Sequence, residues 1–233
     1  MMMLSNTIRS LARPVWGRRN GEKMLRLPVA RGTVAVVAPH PDDETLAAGG
    51  LIFDLSKAGW RVNVVVVTDG AASHPNARDL SAIREVECRR AVQALGVSGH
   101  PVFLRFPDGA AQSNVAEIAT SLRRHVADAD LVVAPRPDDV HSDHEATARA
   151  VEMAFDASRP PHLRYAIWGW EQLDATQLNV DAAVTFRPTA EAMRAKRRAL
   201  GHYESQTTAR YGRTIVDDAA LKRHTSPKEV FWW

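Results

Sequence analysis

The sequence predicts an α/β protein with a Rossmann-like, doubly wound, mostly parallel sheet and helices on both faces. Three observations predict it. Short runs rich in β-branched residues alternate with amphipathic helical stretches almost throughout the 233 residues, the pattern of repeated strand–helix units with right-handed crossovers. The first run, Val34 to Ala38, is apolar at every position, as a parallel strand buried on both faces must be. It then stops abruptly on His40, Pro41, Asp42, Asp43 and Glu44. In parallel sheets, loops at the carboxyl ends of the strands are where ligands bind.

Each element follows in order. After the first strand comes a helix over about 45–58, in which Leu46, Gly49, Gly50 and Phe53 mark the packed side. The paired glycines are expected to let that helix lie close to the sheet, at some cost in helix propensity. "RVNVVVVTDG" is the second strand, closed by a turn at Asp69-Gly70. A charged helix over about 78–95 stops at Gly96. "PVFLRF" is the third strand and "PDGA" its loop. Val115, Ile118, Leu122 and Val126 fall on one face of a helix over 113–126. "LVVAP" is the fourth strand, and "RPDDVHSDHEATARAVEMAF" is a loop running into a helix. Further strands are expected near "LRYAIWGW" and "DAAVTF", with Trp168 and Trp170 on one face of the former by their period of two. A helix after Pro188 carries "EAMRAKRRALGHYESQ".

The chain divides into an N-terminal basic extension, 1–30, and a single domain, 31–233. Arg9, Arg13, Arg18 and Arg19 precede the first acidic residue, Glu22. The arm is expected to be a solvated extension. Peripheral contact with an anionic membrane surface stays open, and no nucleic-acid partner is expected. No stretch approaches the roughly eighteen apolar residues of a membrane span, and Met1 to Asn20 lacks the pattern of a signal peptide, so the cytoplasm is the expected location. Cys88 is the only cysteine, which excludes disulfides and cysteine-based zinc sites and leaves any metal to His, Asp and Glu. The last three residues, Phe231, Trp232 and Trp233, are costly to leave in water and should dock on the domain or on another subunit. An oligomer therefore stays open.

The crevice rule brings "APHPDDE", "TDGAASH", "FPDGA" and "RPDDVHSDH" to one edge of the sheet. His40 and Asp43 are three residues apart at a strand-to-helix turn, and His141 and His144 repeat that spacing where another helix starts. Two histidines and a carboxylate around an ion with an open position make a catalytic zinc site. At least one of His40, Asp42, Asp43, His141 and His144 is then left for chemistry. A carboxylate beside the metal but not bound to it, as Asp42 is placed, suits a general base. A protonated histidine near the same water would stabilise an oxyanion.

"APHPDDETLAAGG", with "HSDH" about a hundred residues later, resembles the LmbE-like, or PIG-L, family of zinc-dependent N-deacetylases. "VTDGAAS", Arg84 with Glu87, "FPDG" and "KRRALGHYESQ" are secondary echoes in the family's order, and together they span about Val34 to Gln206. The resemblance implies that His40, Asp43 and His144 bind zinc, with ferrous iron as a possible replacement. It also implies that Asp42 is the general base, that His141 assists the tetrahedral intermediate or the leaving amine, and that Asp143 tunes a neighbouring imidazole. Asp108, Arg78 and Arg84, near the crevice loops, are candidate substrate contacts. The activity implied is removal of an N-acyl group, usually acetyl, from an amino sugar or sugar conjugate. The rivals are a non-catalytic sugar- or nucleotide-binding module on the same fold and a hydrolase of a different amide.

Overall fold

The computed structural model describes residues 15–19, 22–27, 31–155 and 160–233. Its strands are β1 (Val15–Arg19), β2 (Glu22–Arg26), β3 (Thr33–Ala38), β4 (Arg61–Thr68), β5 (Val102–Phe106), β6 (Leu131–Pro135), β7 (His162–Tyr165), β8 (Val184–Phe186) and β9 (Glu229–Phe231). Its helices are α1 (Asp43–Lys57), α2 (Leu80–Ala94), α3 (Val115–Val126), α4 (Ser142–Ala154), α5 (Gly169–Gln172), α6 (Ala190–Leu200), α7 (Glu204–Thr207) and α8 (Asp218–His224).

Five strands form the central sheet in the order β5-β4-β3-β6-β7, and every pairing in it is parallel. The chain runs outward from β3 to β5 on one side and then starts again at β6 on the other. The switch point therefore lies between β3 and β6, whose carboxyl ends are where such a sheet opens a crevice. Alternation along β3 explains its unbroken apolar sequence. Val34, Val36 and Ala38 join the core shared with α1, α2 and α6, while Ala35 and Val37 join the core shared with α3 and α4.

A second, four-stranded sheet was not legible in the strand–helix alternation. Its order is β1-β2-β8-β9, with β2 parallel to β8 through Met24 and Thr185 and β9 antiparallel to β8. "DAAVTF" contributes β8 to this sheet. The tail docks here: Phe231 and Trp232 are buried, and only Trp233 is exposed.

The same tail closes a break in α1. Ala48 leaves helical geometry (φ −133°, ψ 15°), so backbone groups on either side lose their helical partners. Buried Lys196 of α6 donates from Nζ to the Leu46 carbonyl at 2.9 Å. Buried Glu229 of β9 accepts from the backbone N–H groups of Gly50 and Leu51, at 2.7 and 2.9 Å, as a helix cap would. The two side chains meet at 2.6 Å, so each charge is neutralised where it is buried. Gly49 and Gly50 serve this splice rather than contact with the sheet: added Cβ atoms would lie 2.9 Å from Lys196 Cγ and 2.4 Å from Pro188 Cγ.

Trp168 and Trp170 do not share a strand face. β7 ends at Tyr165, and Trp168 precedes the short helix α5 that contains Trp170, because the Ile167 and Gly169 amides turn inward onto buried Asp139. Trp168 packs on His141 and Trp170 on Trp232. Arg9 and Arg13 lie outside the described residues. Among those described, no helix is long and apolar enough to cross a membrane.

The splice gives a stability test. Glu229→Ala strands Lys196 and two amides in the core and is expected to cost about 3–5 kcal/mol in denaturant unfolding. Glu191→Ala, which removes an exposed ion pair with Lys57, should cost about 0–1 kcal/mol. Equal losses would show that the break in α1 does not depend on Glu229.

Candidate active site

The site begins where β3 turns into α1. Asp42, the residue before the helix, is held at φ 138°, a conformation costly for a residue with a side chain. Its carbonyl accepts from Thr45 and Leu46 N–H, which starts the helix on Asp43 and presents two consecutive carboxylates in different directions. Asp43 Oδ2 accepts the His40 N–H at 3.0 Å and lies 3.2 Å from both His40 Nδ1 and His144 Nε2. All three side chains are buried. His144 comes from the first turn of α4, behind β6, so the trio bridges the switch point.

Hydrogen bonds fix which imidazole atoms can bind a metal. His144 Nδ1 lies 2.6 Å from Asp139 Oδ2. Asp139 also accepts the Ile167 and Gly169 amides, so it is a carboxylate acceptor and Nδ1 must carry the proton. Nε2 is left buried without a hydrogen-bond partner among the described residues. His40 Nε2 lies 3.1 Å from Asp108 Oδ1 and 3.2 Å from Asp143 Oδ2, which leaves Nδ1 for Asp43. Oriented imidazoles with outer carboxylate partners are how proteins prepare histidine ligands, and two histidines with one carboxylate fit zinc.

A second trio, His40, His141 and Asp143, is also close enough to hold an ion, but both Asp143 oxygens and His141 Nδ1 are already engaged. Asp143 accepts from Gly109 N–H at 2.7 Å and Ala111 N–H at 3.1 Å. His141 Nδ1 accepts the Asp143 N–H at 3.3 Å, capping α4. The first trio has the unsatisfied nitrogen.

The electrostatics follow from crowding. Burial alone would lower the pKa of His144, but the Asp43 charge and the Asp139 hydrogen bond outweigh it and raise it to about 9. Burial is likewise overcome at His40, which its bonds to Asp108, Asp143 and Asp43 push well above the ordinary value. Asp43 is held low, against burial, by His144 and His40. Asp42 goes the other way: burial pushes it up to about 7, opposed first by the Arg84 charge. His141 is lowered by burial and by its two histidine neighbours, which favours the neutral imidazole over the protonated one expected from the sequence.

These groups floor a cavity of about 520 Å³, within the usual range for small-molecule sites. Asp108, Arg84, Trp168 and Gln206 line it as well. Arg84 is buried and spent on structure: it donates to the Pro41 and Gly70 carbonyls at 2.7 and 2.9 Å and pairs with Asp42 at 3.2 Å. Arg78 is exposed and does not line the cavity, because α2 begins at Leu80 and leaves Arg78 in the turn before it. The Asp143 carboxylate contacts His40, while its backbone N–H goes to His141 of its own loop. Asp139 was missed by sequence reasoning. "PDD" offers two neighbouring acids, and only the hydrogen bonds show that the second is the buried partner of His144.

A family model described as PIG-L, GlcNAc-PI de-N-acetylase, matches residues 35–155. The chain is 29% identical over 213 residues to the probable N-acetyl-alpha-D-glucosaminyl L-malate deacetylase 2 of Bacillus cereus, covering 86% of this chain and 93% of that protein. Among solved structures it superposes on the A40926 pseudoaglycone deacetylase with a TM-score of 0.69 at 22% identity, over 86% of this chain and 96% of that one. It matches the zinc-inhibited form of a teicoplanin deacetylase with the same TM-score at 19% identity, over 86% and 97%. At these identities the structural likeness is one of fold.

The protonation pattern predicts how zinc enters. His40 and His144, both raised, carry protons at pH 7 that a divalent ion must displace. Calorimetry in buffers of different ionisation enthalpy should therefore record about two protons released per zinc at pH 7. Zinc affinity should rise with pH from 6 up to at least about 9, where His144 loses its proton unaided. Affinity that is flat between pH 6 and 8 would contradict this ligand set.

Proposed function

This chain belongs to the PIG-L, GlcNAc-PI de-N-acetylase, family, and we propose that it deacetylates an N-acetylated amino sugar conjugate with Asp42 as general base and His40, Asp43 and His144 as zinc ligands. Held there, zinc would supply Lewis acidity and would lower the pKa of the attacking water to about 7. The observation that carries the reading is Asp42. It is a second buried carboxylate, adjacent to Asp43 in sequence, facing the cavity, and part of neither trio that could hold an ion. A binding module would have no use for it.

The residues divide the work as follows. Asp42 takes a proton from the attacking water as its oxygen adds to the amide carbon. Arg84 keeps the Asp42 carboxylate oriented and limits the rise in its pKa. His141, whose Nδ1 is occupied by the Asp143 N–H, presents Nε2–H as a donor toward charge developing on the amide oxygen. The C–N bond then breaks, the proton held by Asp42 passes to the nitrogen, and acetate and a free amine leave. Asp143 and Asp108 hold His40, and Asp139 holds His144, so that neither imidazole turns during turnover. Trp168, nearly parallel to His141 with ring centroids 5.7 Å apart, fixes the plane of that ring.

Asp42→Asn keeps the size of the side chain but cannot accept a proton. It is expected to retain zinc, measured by metal analysis, while kcat for acetate release from N-acetylated sugar conjugates falls about a hundred- to ten-thousandfold. Near wild-type turnover with a full complement of zinc would move the base to another residue.

A further inference from the structure

The carboxylate of Asp42 faces the cavity from a strained backbone. Its φ of 138° persists only where the surroundings over-determine it, and here both flanking peptide groups are fixed. On the helix side, the Asp42 carbonyl accepts from Thr45 and Leu46 N–H. On the strand side, the Pro41–Asp42 peptide is gripped at both ends by buried side chains. Its carbonyl, that of Pro41, accepts from Arg84 at 2.7 Å, and its N–H, that of Asp42, donates to Glu44 Oε2 at 3.1 Å.

Glu44 is held in turn. Its Oε1 accepts from Thr45 Oγ1 at 2.6 Å and from the Tyr203 hydroxyl, so donors engage both carboxylate oxygens. Glu44 and Tyr203 are fully buried and neither lines the cavity, so neither meets substrate. Tyr203 lies in the turn between α6 and α7, 159 residues beyond Glu44. That turn is docked on α2, where Glu87 accepts the Ser205 N–H and hydroxyl at 2.8 and 2.6 Å. Arg84 lies three residues earlier on the same face of α2. One helix therefore locates both the guanidinium that holds the Pro41 carbonyl and the turn that brings Tyr203 to Glu44.

We propose that Glu44 and Tyr203 are positioning residues for the deacetylation: Tyr203 orients the Glu44 carboxylate, Glu44 holds the Asp42 N–H, and Asp42 thereby keeps its own carboxylate aimed at the attacking water. The proposal rests on the deacetylase reading with Asp42 as base. Rotation about N–Cα toward ordinary negative φ would relieve the strain at Asp42, and the grip on the preceding peptide is what opposes it. Without the Tyr203 hydroxyl, Glu44 keeps only the Thr45 hydroxyl on Oε1 and is free to turn away from the Asp42 N–H. A base displaced by about 1 Å loses about a hundredfold in rate.

The test uses the zinc-loaded full chain, with acetate release from the methyl glycoside of N-acetylglucosamine as the rate. Tyr203→Phe removes one hydroxyl and keeps the ring. It should lower kcat about tenfold or more with KM and zinc content unchanged, and the Asp42 amide, followed by NMR, should exchange with solvent about tenfold faster. Thr45→Val removes the other hydroxyl on Glu44 Oε1. It should give a smaller loss of the same kind, and it carries the test if Tyr203→Phe does not fold. Tyr165→Phe is the control: its buried hydroxyl donates to the Val37 carbonyl at 2.9 Å, so its loss should lower the melting temperature while kcat stays unchanged. In an Asp42→Asn background, Tyr203→Phe should add little, because a residue that acts through Asp42 has nothing left to position. Equal kcat losses in Tyr203→Phe and Tyr165→Phe, full kcat in Tyr203→Phe and Thr45→Val, unchanged exchange at Asp42, or an undiminished effect in Asp42→Asn overturns the proposal and leaves the deacetylase reading standing. A wild type that releases no acetate overturns the deacetylase reading itself, before any variant is compared, and this assignment with it.

Discussion

A buried carboxylate held between two imidazoles, Asp43 with His40 and His144, is the constraint around which the rest of the structure is arranged. A charge taken out of water is tolerated only where partners neutralise it, and these partners arrive from opposite sides of the switch point between β3 and β6. The parallel sheet delivers both loops to one edge. Asp139, anchored by two amides of the chain after β7, sets His144; Asp143, anchored by Gly109 and Ala111 after β5, helps set His40. Four loops thus fix the positions of three side chains, and the cluster is rigid because every outer carboxylate is itself held by backbone.

The same logic recurs away from the reacting atoms. Buried Glu44 meets the Tyr203 hydroxyl and Thr45 Oγ1, and buried Glu87 accepts both the N–H and the hydroxyl of Ser205. Both contacts join the helices of the first half to α7 and the turn before it. Together with the Lys196–Glu229 splice they make the C-terminal third a frame for α1. That explains a domain in which the catalytic motifs end at α4 while the chain continues for almost eighty residues more. The additional segment caps the broken helix, and it also supplies the outer wall of the cavity.

Much of this was legible in the sequence. Short runs rich in β-branched residues, apolar on both faces, mark the five central strands, and the spacing of His and Asp in "HPDD" and "HSDH" marks the cluster. What was not legible has a physical reason in each case. Lys196 and Glu229 look like surface charges, because nothing local reveals that each will be buried against the other. β9 has three residues, too few for periodicity to register, and the strand expected at "DAAVTF" carries no local sign that it joins a second sheet. Trp168 and Trp170 obey a strand period by coincidence, and the chain turns instead because two amides nearby are claimed by Asp139. Arg84 was placed correctly near the crevice, but its guanidinium is committed to Pro41, Gly70 and Asp42, contacts that sequence alone cannot assign.

The central claim is that His40 serves the trio with Asp43 and His144 rather than the one with His141 and Asp143. Crystals of the zinc-loaded protein, with anomalous scattering recorded on both sides of the zinc edge, test it most directly. The account predicts a peak bonded to His40 Nδ1, Asp43 and His144 Nε2, at about 2.0–2.2 Å from each, with Asp42 and His141 outside bonding distance. A peak bonded to His40 Nε2, His141 and Asp143 would contradict the assignment of ligands and, with it, the role given to Asp42.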